Sequence, residues 1–521
     1  MPTYLTPGVY VEEVQSGARP IEGVGTAVAA FVGFAENGPF HAPTLVTGWD
    51  QYTQLFGGFT EDAYLPHAVY GYFANGGGAA YIVRIGGSAE GAGASAPAAH
   101  GAERQGTKAV EPTELGGFLV AAKPGVSGVS VEVADADGEN PPEDRFKVLV
   151  RQSDRVVETY EASTRKNVKG YLVNQARPSQ LIEVTEQRGA TQSRPANQTV
   201  ALADAPAAPA VPGPGEVSRL DPAEYVGDAG ARTGFGGLET IDEITMVAVP
   251  DLMSAYQRGD IDAEGVRTVQ LAVISHCEQM GDRVAVLDAP PGLSAQQVRT
   301  WRNDEAGYDS RYATLYYPWV RVFDPALGRN TTVPPSGHIA GVWARSDAER
   351  GVHKAPANEV IRGAVDLEVR LSKGEQDLLN PIGVNCVRAF PGRGIRIWGA
   401  RTLSSDPAWR YLNVRRLFNY LEESILLGTQ WVVFEPNDDR LWSSIRRNVT
   451  AFLSEEWRQG ALFGRTAEEA FYVKCDRDNN PQESIDLGRV ICEIGVAPVK
   501  PAEFVVFRLA QFSDSTSLID E

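Results

Sequence analysis

Cysteine is scarce in this sequence, and the cysteines form no motif. Cys277, Cys386, Cys475 and Cys492 lie far apart in 521 residues, with no CxxC pair and no histidine at ligand spacing. Zinc sites and disulfide frameworks both need closely patterned cysteines. We therefore expect four free thiols, mostly buried, and no bound metal.

Positive charge is in deficit, and long apolar runs are missing. The formal net charge is -19. Because neutralising phosphates requires a basic face, this balance argues against nucleic acid as a partner. No segment approaches the roughly 18 apolar residues of a membrane span, and the opening MPTYLTPGVYVEEV has no basic stretch or apolar run. We expect no signal peptide, no membrane insertion and assembly in the cytoplasm, with release by lysis or as part of a particle.

Motifs for catalysis and for phosphate binding are missing as well. The segments GGGAAY, GAGASA, GFGGLE and GRGIRI each depart from GxGxxG at the last position, and no GxxxxGK[ST] occurs. Asp135 and Asp137 resemble the start of a calcium loop, but Phe146 stands where the bidentate carboxylate is needed. Ser336 and His338 are too close in sequence to be catalytic partners, and GxSxG is not found. The sequence predicts neither an enzyme nor a cofactor.

Composition divides the chain into segments. Residues 86–110 are rich in Gly, Ala and Ser, and residues 204–217 read DAPAAPAVPGPGEV, an extended linker. We predict a multidomain α/β protein with an N-terminal linking arm (1–20), a split α/β middle domain (21–86 plus 223–350), an inserted, mainly β outer domain (87–222), a C-terminal α+β domain (351–500) and a C-terminal linking arm (501–521).

Strands alternate with helices in the middle domain. Apolar strands are indicated at 27–34, 246–250, 284–290 and 313–320, with helical patterns between them. This alternation predicts a parallel, doubly wound sheet. The insertion would then separate the first strand from the others.

Two amphipathic helices dominate the C-terminal domain. The first is predicted to start at Asp406 and Pro407 and to stop at Gly428, before an apolar strand with the sequence TQWVVF. The second starts at Asn437 or Asp438 and carries apolar residues on one face. The apolar faces of both helices are expected to be core.

Arginine is concentrated in this domain although the protein is acidic. Residues 388–416 hold seven arginines and a single acid, Asp406. Our candidates for docking an acidic partner lie on the outer faces of the two helices, at Arg415, Arg416, Arg446 and Arg447. The alternative is that these arginines are merely solvated.

A short β-prone segment lies near each end of the chain. Both are separated from the body by prolines, at 9–14 and at 503–509. A lone strand with unpaired backbone groups invites pairing with another chain, so we predict strand donation to neighbouring subunits. Completion of the sheet of their own domain is the alternative. The candidate linking residues are Val9, Tyr10, Val11, Val14, Phe504, Val505, Val506, Phe507 and Leu509.

Several of these segments together resemble the contractile tail sheath proteins of bacteriophages and of phage-tail-like injection systems. The resemblance lies in TPGVYVEE, VNCVRAFPGRGIRIWGARTL, NVRRLFNYLEESI with WVVFEPND, and NPQESIDLGRVICEIGVAPVKPAEFVVFRLAQ. It covers about 1–86 and 224–521, and the insertion matches no family that we can name.

The resemblance implies a structural subunit that polymerises as stacked six-subunit rings around an inner tube and contracts to drive the tube through a target envelope. It further implies that the C-terminal domain lies against the tube, through one or the other of the two arginine-bearing helices, and that the two arms add strands to neighbouring subunits. The implied partners are further copies of the chain, an inner tube protein, and baseplate and terminator proteins. No cofactor is implied. A non-contractile scaffold or adhesin, with the insertion as its binding module, is the alternative.

Overall fold

The computed structural model describes residues 20–60, 63–86, 220–508 and, with gaps, 113–202. The chain divides into two compact units, one drawn from Met1–Ala94 with Arg219–Glu521 and the other from Ser95–Ser218. The second unit lies inside the predicted insertion.

Twenty strands occur in the described residues. They are β1 (Val28–Gly33), β2 (Thr44–Val46), β3 (Ala79–Arg84), β4 (Thr113–Leu115), β5 (Phe118–Ala122), β6 (Val129–Asp135), β7 (Arg145–Gln152), β8 (Arg155–Ser163), β9 (Ile182–Glu186), β10 (Thr199–Ala201), β11 (Met246–Ala248), β12 (Val284–Asp288), β13 (Ala313–Tyr317), β14 (Val320–Asp324), β15 (Arg329–Val333), β16 (Ala364–Leu367), β17 (Val384–Phe390), β18 (Gly394–Ile397), β19 (Phe471–Lys474) and β20 (Glu493–Val496).

Thirteen α-helices occur in the same described part of the chain. They are α1 (Trp49–Phe56), α2 (Leu65–Asn75), α3 (Leu172–Gln175), α4 (Pro222–Val226), α5 (Asp251–Arg258), α6 (Ala263–Met280), α7 (Ala295–Thr300), α8 (Ser336–Arg350), α9 (Lys373–Leu379), α10 (Leu412–Thr429), α11 (Asp439–Arg458), α12 (Ala467–Ala470) and α13 (Gln482–Asp486). Short 3-10 helices cover Gly236–Thr240, Asn380–Ile382 and Gln430–Val432, and a π-helical turn covers Trp301–Ala306.

An eight-stranded sheet forms the centre of the first unit. Its order is β18-β17-β13-β12-β11-β1-β3-β2, and every neighbouring pair from β17 to β3 is parallel. The two outermost strands, β18 and β2, run antiparallel to their neighbours. The split α/β fold class is confirmed, since β1 and β3 precede the insertion and β11 follows it.

The sheet extends beyond the boundary that the sequence predicted at residue 350. Strands β17 and β18 lie in the predicted C-terminal domain, yet they complete the edge of the central sheet. Their hairpin pairs Val387 with Ile397, and both side chains are buried in the core. The C-terminal domain therefore begins after this hairpin, because β17 pairs in parallel with β13.

Apolar clusters lie on both faces of the central sheet. One face is covered by residues of α5, α6 and α7, and the other by residues of α1, α2 and α8. Helices α2 and α8 approach each other closely at glycines, since a Cβ added to Gly337 would lie 2.3 Å from the Cα of Ala68. This contact needs a residue without a side chain.

The C-terminal domain packs α10 and α11 around a separate apolar cluster that includes Leu417, Leu421, Trp442 and Phe452. Helix α11 begins at Asp439, with the Asp438 side chain accepting hydrogen bonds from the backbone N–H groups of Arg440 and Leu441. The predicted cap is confirmed.

The predicted start of the preceding helix is wrong. Asp406 caps a turn instead, accepting from the N–H of Ala408 at 2.8 Å, and α10 begins at Leu412. Tyr411 is held in extended backbone by an antiparallel bridge to Arg401, which delays the helix. The helix also runs through Gly428, whose Cβ position lies 2.7 Å from the Ile21 side chain, so this glycine permits close packing rather than stopping the helix.

The strand predicted for TQWVVF is wrong as well. Residues Gln430–Val432 form a 3-10 helix, and Phe434 has a positive φ of 68°. This left-handed backbone turns the chain and leaves the Phe434 side chain fully exposed. An apolar run does not by itself distinguish a buried strand from an exposed turn.

The second unit is mainly β, as predicted. It contains a four-stranded sheet, β10-β6-β7-β8, and a three-stranded sheet, β4-β5-β9, both antiparallel. Phe118, Phe146 and Tyr171 contribute to its own apolar cluster. An independent core is consistent with an inserted domain.

Candidate assembly surface

The last described residues form an exposed apolar segment. We call residues 503–508 the carboxyl-terminal arm. Phe504 and Phe507 are 74% and 84% exposed, and Val505 and Val506 between them are also exposed. Within the described part of the chain, residues 504–508 belong to no helix or strand. The predicted strand at 503–509 is thus not formed there, and Leu509 lies outside the described residues.

Glu503 anchors the start of this arm. Its Oε1 accepts hydrogen bonds from Asn380 Nδ2 at 2.8 Å and from Arg401 Nε at 2.9 Å. Its Oε2 accepts from Arg401 Nη2 at 2.7 Å and from the Tyr411 hydroxyl at 3.2 Å. Burial alone would raise the pKa of Glu503, but these hydrogen bonds and the Arg401 charge hold it below its ordinary value. The chain is therefore fixed at Glu503 and exposed immediately afterwards.

The segment before the arm is fixed to the C-terminal domain. The carbonyl of Val499 accepts from Asn413 Nδ2 at 3.1 Å, and the carbonyl of Ala497 accepts from the N–H of Phe463 at 2.7 Å. These contacts make Glu503 the last of a series of attachments.

Strands β19 and β20 form a two-stranded sheet that we call the terminal ribbon. They pair from Phe471 with Val496 to Lys474 with Glu493, and no third described strand pairs with either edge. One face packs on the C-terminal cluster through Phe471, and Tyr472 on the other face is exposed. The ribbon thus has a supported inner face and two unpaired edges.

Arg415 and Arg416 do not lie on an outer face of α10, and that prediction is wrong. Their side chains are 1% and 3% exposed. Arg416 forms a paired ion contact with Asp347 of α8, at 2.9 Å and 2.5 Å, and donates to the carbonyl of Thr26 at 3.0 Å. It therefore links the C-terminal domain to α8 and to the residues before β1, instead of facing a partner.

Arg415 is held among aromatic rings. Its guanidinium lies 4.5 Å from the ring centroid of Trp409 and 4.7 Å from that of Tyr312, and its Nε donates to Asn419 Oδ1 at 2.6 Å. Burial lowers the pKa of the Arg415 guanidinium from its ordinary value. Sequence reasoning missed this because a long amphipathic helix can be buried on more than one face.

Arg446 and Arg447 on α11 are exposed, as predicted. Arg446 Nη1 donates to the carbonyl of Cys475 at 3.3 Å, and Arg447 Nη2 donates to Ser444 Oγ at 3.4 Å. Their charges remain accessible to a partner, so these two stay candidates for a contact.

An exposed apolar surface lies on the last turn of α10 and in the turn that follows it, and the sequence did not indicate it. Leu426, Leu427, Val433 and Phe434 are all exposed there. We call these four residues the apolar turn. The signal that could have found it is the Glu435-Pro436 pair, which ends an apolar run with a turn.

The other predicted features can be placed as follows. The linking residues Val9, Tyr10, Val11 and Val14 lie outside the described residues. Among the described helices, none has the length and apolarity needed to cross a membrane. No group of three or more His, Cys, Asp or Glu side chains in the described ranges is arranged to hold a metal ion.

Family comparisons match most of the first unit. The phage tail sheath protein central domain matches residues 237–403, and the phage tail sheath C-terminal domain matches residues 404–512. The boundary between these matches falls directly after the hairpin that completes the central sheet.

Individual relatives are tail sheath proteins of phages. The chain is 25% identical over 524 residues to the tail sheath protein of Burkholderia phage BcepMu, covering 96% of this chain and 95% of that one. It is 27% identical over 310 residues to the tail sheath protein of Vibrio phage KVP40, covering 55% of this chain and 45% of that one. It therefore spans less than half of the KVP40 protein but nearly all of the BcepMu protein.

Solved structures with a similar fold cover almost the whole chain. The anti-feeding prophage helical sheath in its contracted state is 25% identical, with a TM-score of 0.59 and coverage of 98% of this chain and 100% of that one. The sheath complex of the extracellular contractile injection system PVC, also contracted, is 23% identical with a TM-score of 0.59, covering 98% and 99%. At 23% identity, the similarity to the PVC sheath complex shows a shared fold.

Proposed function

Because this chain belongs to the phage tail sheath protein family, we propose that it polymerises as stacked six-subunit rings around an inner tube and contracts to drive that tube through a target envelope. The observation that carries this proposal is the arm, which is anchored at Glu503 and then exposes an apolar segment with strand-forming sequence.

The arm has the properties of a donated strand. Its β-branched and aromatic residues favour extended backbone, and four consecutive exposed apolar side chains are costly in water. Pairing with a neighbouring subunit would satisfy the backbone at about 0.5–1.5 kcal/mol per hydrogen bond and bury the side chains at about 25 cal/mol per Å². The gain would be repeated at every subunit of a lattice.

The terminal ribbon has the properties of an acceptor. In an antiparallel pair, alternate residues direct their N–H and C=O groups away from the partner strand. The groups of Val473 on β19 and Ile494 on β20 therefore point to the free edges. A strand from a neighbouring subunit could add to either edge by strand addition. The N-terminal residues 9–14 are the second proposed donor, and the two edges would accommodate both.

The proposed tube contact is revised to α11 and the apolar turn. Arg446 and Arg447 supply accessible positive charge, whereas Arg415 and Arg416 are buried. The apolar turn adds exposed Leu426 and Phe434. A tube protein with an acidic, partly apolar outer surface would fit these groups, because charge complementarity sets orientation and apolar contact adds affinity.

Contraction is proposed to occur by rigid-body rotation of the subunits. An anchored strand lets a subunit turn about the residues next to Glu503 while the mesh of donated strands persists. Force would come from replacing the contacts of a metastable extended lattice with more extensive ones. The contracted anti-feeding prophage sheath supports this proposal as a relative of similar fold. Baseplate and terminator proteins would cap the two ends of the sheath.

Electron microscopy of particles from cells that produce the whole gene set tests the function. We expect sheathed tubes in a long and a short form, both containing this chain. Monomers beside a sheath built of another protein would contradict the proposal and favour a non-contractile scaffold or adhesin.

A further inference from the structure

Two of the four cysteines are brought together at the end of the terminal ribbon. Cys475 directly follows β19, and Cys492 directly precedes β20. The last registered pair of the ribbon is Lys474 with Glu493, so the next position places Cys475 opposite Cys492. Their wide separation in the sequence concealed this arrangement.

The register indicates that the two cysteines face each other as a non-hydrogen-bonded pair, in which opposite Cα atoms are closer than in a hydrogen-bonded pair. The N–H of Ala497 donates to the carbonyl of Ala470 at 2.8 Å, which marks these opposite residues as a hydrogen-bonded pair. Bonded and non-bonded pairs alternate along an antiparallel ladder, so the register, continued by one position beyond Lys474 and Glu493, makes Cys475 and Cys492 a non-bonded pair. Opposite Cα atoms in such a pair lie about 4.5 Å apart, within the range of about 4.4–6.8 Å that a disulfide spans.

Asn480 fixes the two strand ends at this point. Its Nδ2 donates to the carbonyls of Asp476 and Ile491 at 3.1 Å and 2.9 Å, and its Oδ1 accepts from the N–H of Ile491 at 2.6 Å. The residues that flank Cys475 and Cys492 are thus joined by one buried side chain, which prevents the pair from separating.

The chemistry of the pair favours reaction between its members. A side-chain hydrogen bond from Cys492 lowers the pKa of Cys475, with the nearby Arg446 charge acting in the same direction. The same contact, together with burial, raises the pKa of Cys492 above its ordinary value. Cys475 is buried and Cys492 is partly exposed, so one side of the pair is open to a small oxidant.

The remaining cysteines have no such arrangement. Cys277 on α6 and Cys386 on β17 are buried in the cluster on one face of the central sheet. Burial raises the pKa of Cys386 to about 12, and it raises that of Cys277 further above its ordinary value. Cys277 and Cys386 therefore serve as internal controls when the oxidation of the other two cysteines is measured.

We propose that Cys475 and Cys492 form an oxidisable dithiol site, which a hydroperoxide closes to a disulfide that locks β19 to β20. In the first step the Cys475 thiolate attacks a peroxide oxygen, the O–O bond breaks, and the leaving hydroxide takes up the proton that the thiol released, so that hydrogen peroxide yields a sulfenic acid and water. In the second step the Cys492 sulfur attacks the sulfenic sulfur, the S–O bond breaks, and a second water leaves as the S–S bond forms. The two thiols lose two electrons, and the peroxide gains them.

Thiol counting and peptide mapping on the full chain test this site. The reduced protein is treated with one equivalent of hydrogen peroxide, denatured and titrated for free thiols. We expect the count to fall from four to two per chain, the mass to fall by two hydrogens, and a linked peptide to join Cys475 to Cys492. Cys277→Ser should fall from three thiols to one, whereas Cys492→Ser should form no internal link.

Other results would overturn the proposal. These are retention of all four thiols, a link that includes Cys277 or Cys386, a disulfide between two chains on a non-reducing gel, and sulfinic acid without any link. The mapping of the unsubstituted chain gives its answer even if a serine variant fails to fold.

Discussion

Glu503 and Arg401 lie 102 residues apart in the sequence and join through paired hydrogen bonds of 2.9 Å and 2.7 Å. Arg401 follows the hairpin that closes the central sheet, and Glu503 is the anchored first residue of the carboxyl-terminal arm. Their contact therefore ties the base of the proposed linking strand to the residues that follow the edge hairpin of the central sheet.

Glu503→Ala should loosen the base of the arm. The Arg401 guanidinium is mostly buried and would lose both of its bonds to Glu503 while keeping the bond to the Asn380 carbonyl at 3.1 Å, so we expect a loss of about 1–3 kcal/mol in unfolding free energy. Hydrogen exchange of residues 497–503 should become faster. Glu503→Gln, which keeps an acceptor oxygen, is the matched control. Its unfolding free energy and its exchange rates should lie between those of Glu503→Ala and those of the parent chain. Exchange in Glu503→Ala as slow as in the parent chain would show that the anchor does not hold the arm.

Arg416→Ala should destabilise the subunit itself. Asp347 is buried and would lose both of its bonds to the guanidinium, at an expected cost of about 3–5 kcal/mol in unfolding free energy. Denaturant unfolding measures this cost. Asp347→Asn in the same background should recover part of the loss, because it removes the uncompensated charge. An unchanged midpoint in Arg416→Ala would contradict the structural role assigned to this arginine.

Arg446→Glu with Arg447→Glu should weaken binding to the inner tube and leave the fold intact. Both side chains are exposed, and reversing their charge replaces attraction to an acidic partner with repulsion. Co-sedimentation with assembled tubes is the measurement. Arg458→Glu, an exposed change at the end of the same helix, is the control and should bind as the parent does. Equal binding by all three proteins would remove this face of α11 from the contact.

Asp288 should make stability depend on pH. Burial raises its pKa from 3.8 to about 7, although the N–H of Ser336 donates to it at 2.9 Å and acts in the opposite sense. The folded protein therefore binds more protons than the unfolded chain between these values, and stability should fall as pH rises from about 4 to about 7. Asp288→Asn keeps an acceptor oxygen and should flatten that slope in denaturant unfolding. A slope unchanged by the substitution would contradict the assignment.

Asp251 is also a buried carboxyl group, but we expect its replacement by Asn to have a different effect from that of Asp288→Asn. Burial also raises its pKa to about 7, but its carboxylate accepts from the N–H groups of Phe34, Tyr64 and Leu65. An amide would place its own donors against some of these groups, so Asp251→Asn should destabilise the protein at every pH.

Periodicity located much of the fold. The apolar strands predicted at 27–34 and 284–290 match β1 and β12, because regular burial leaves a regular pattern. The sequence did not reveal that β17 and β18 join the central sheet. Pairing between β17 and β13 depends on the path of the chain through three further strands, which local patterns do not encode.

The candidate surface was predicted less completely than the fold. Four arginines on two helices looked equivalent by spacing, yet Asp347 and the aromatic rings around Arg415 bury one pair, while Arg446 and Arg447 remain exposed. Whether an arginine on these helices is buried depends on residues that are far away in the sequence, which helical spacing does not reveal. The opposition of Cys475 and Cys492 was likewise hidden, since it follows from a strand register.

Electron microscopy of tubes formed by two truncated chains tests the central claim most directly. A chain ending at Glu503 keeps the anchor to Arg401 and loses the proposed donor strand, whereas a control ending at Phe512 loses only the polar tail. We predict that both fold with equal Tm, that the control forms sheaths, and that the chain ending at Glu503 stays as soluble subunits. Sheaths of normal length and appearance from the chain ending at Glu503 would contradict strand donation by the carboxyl-terminal arm.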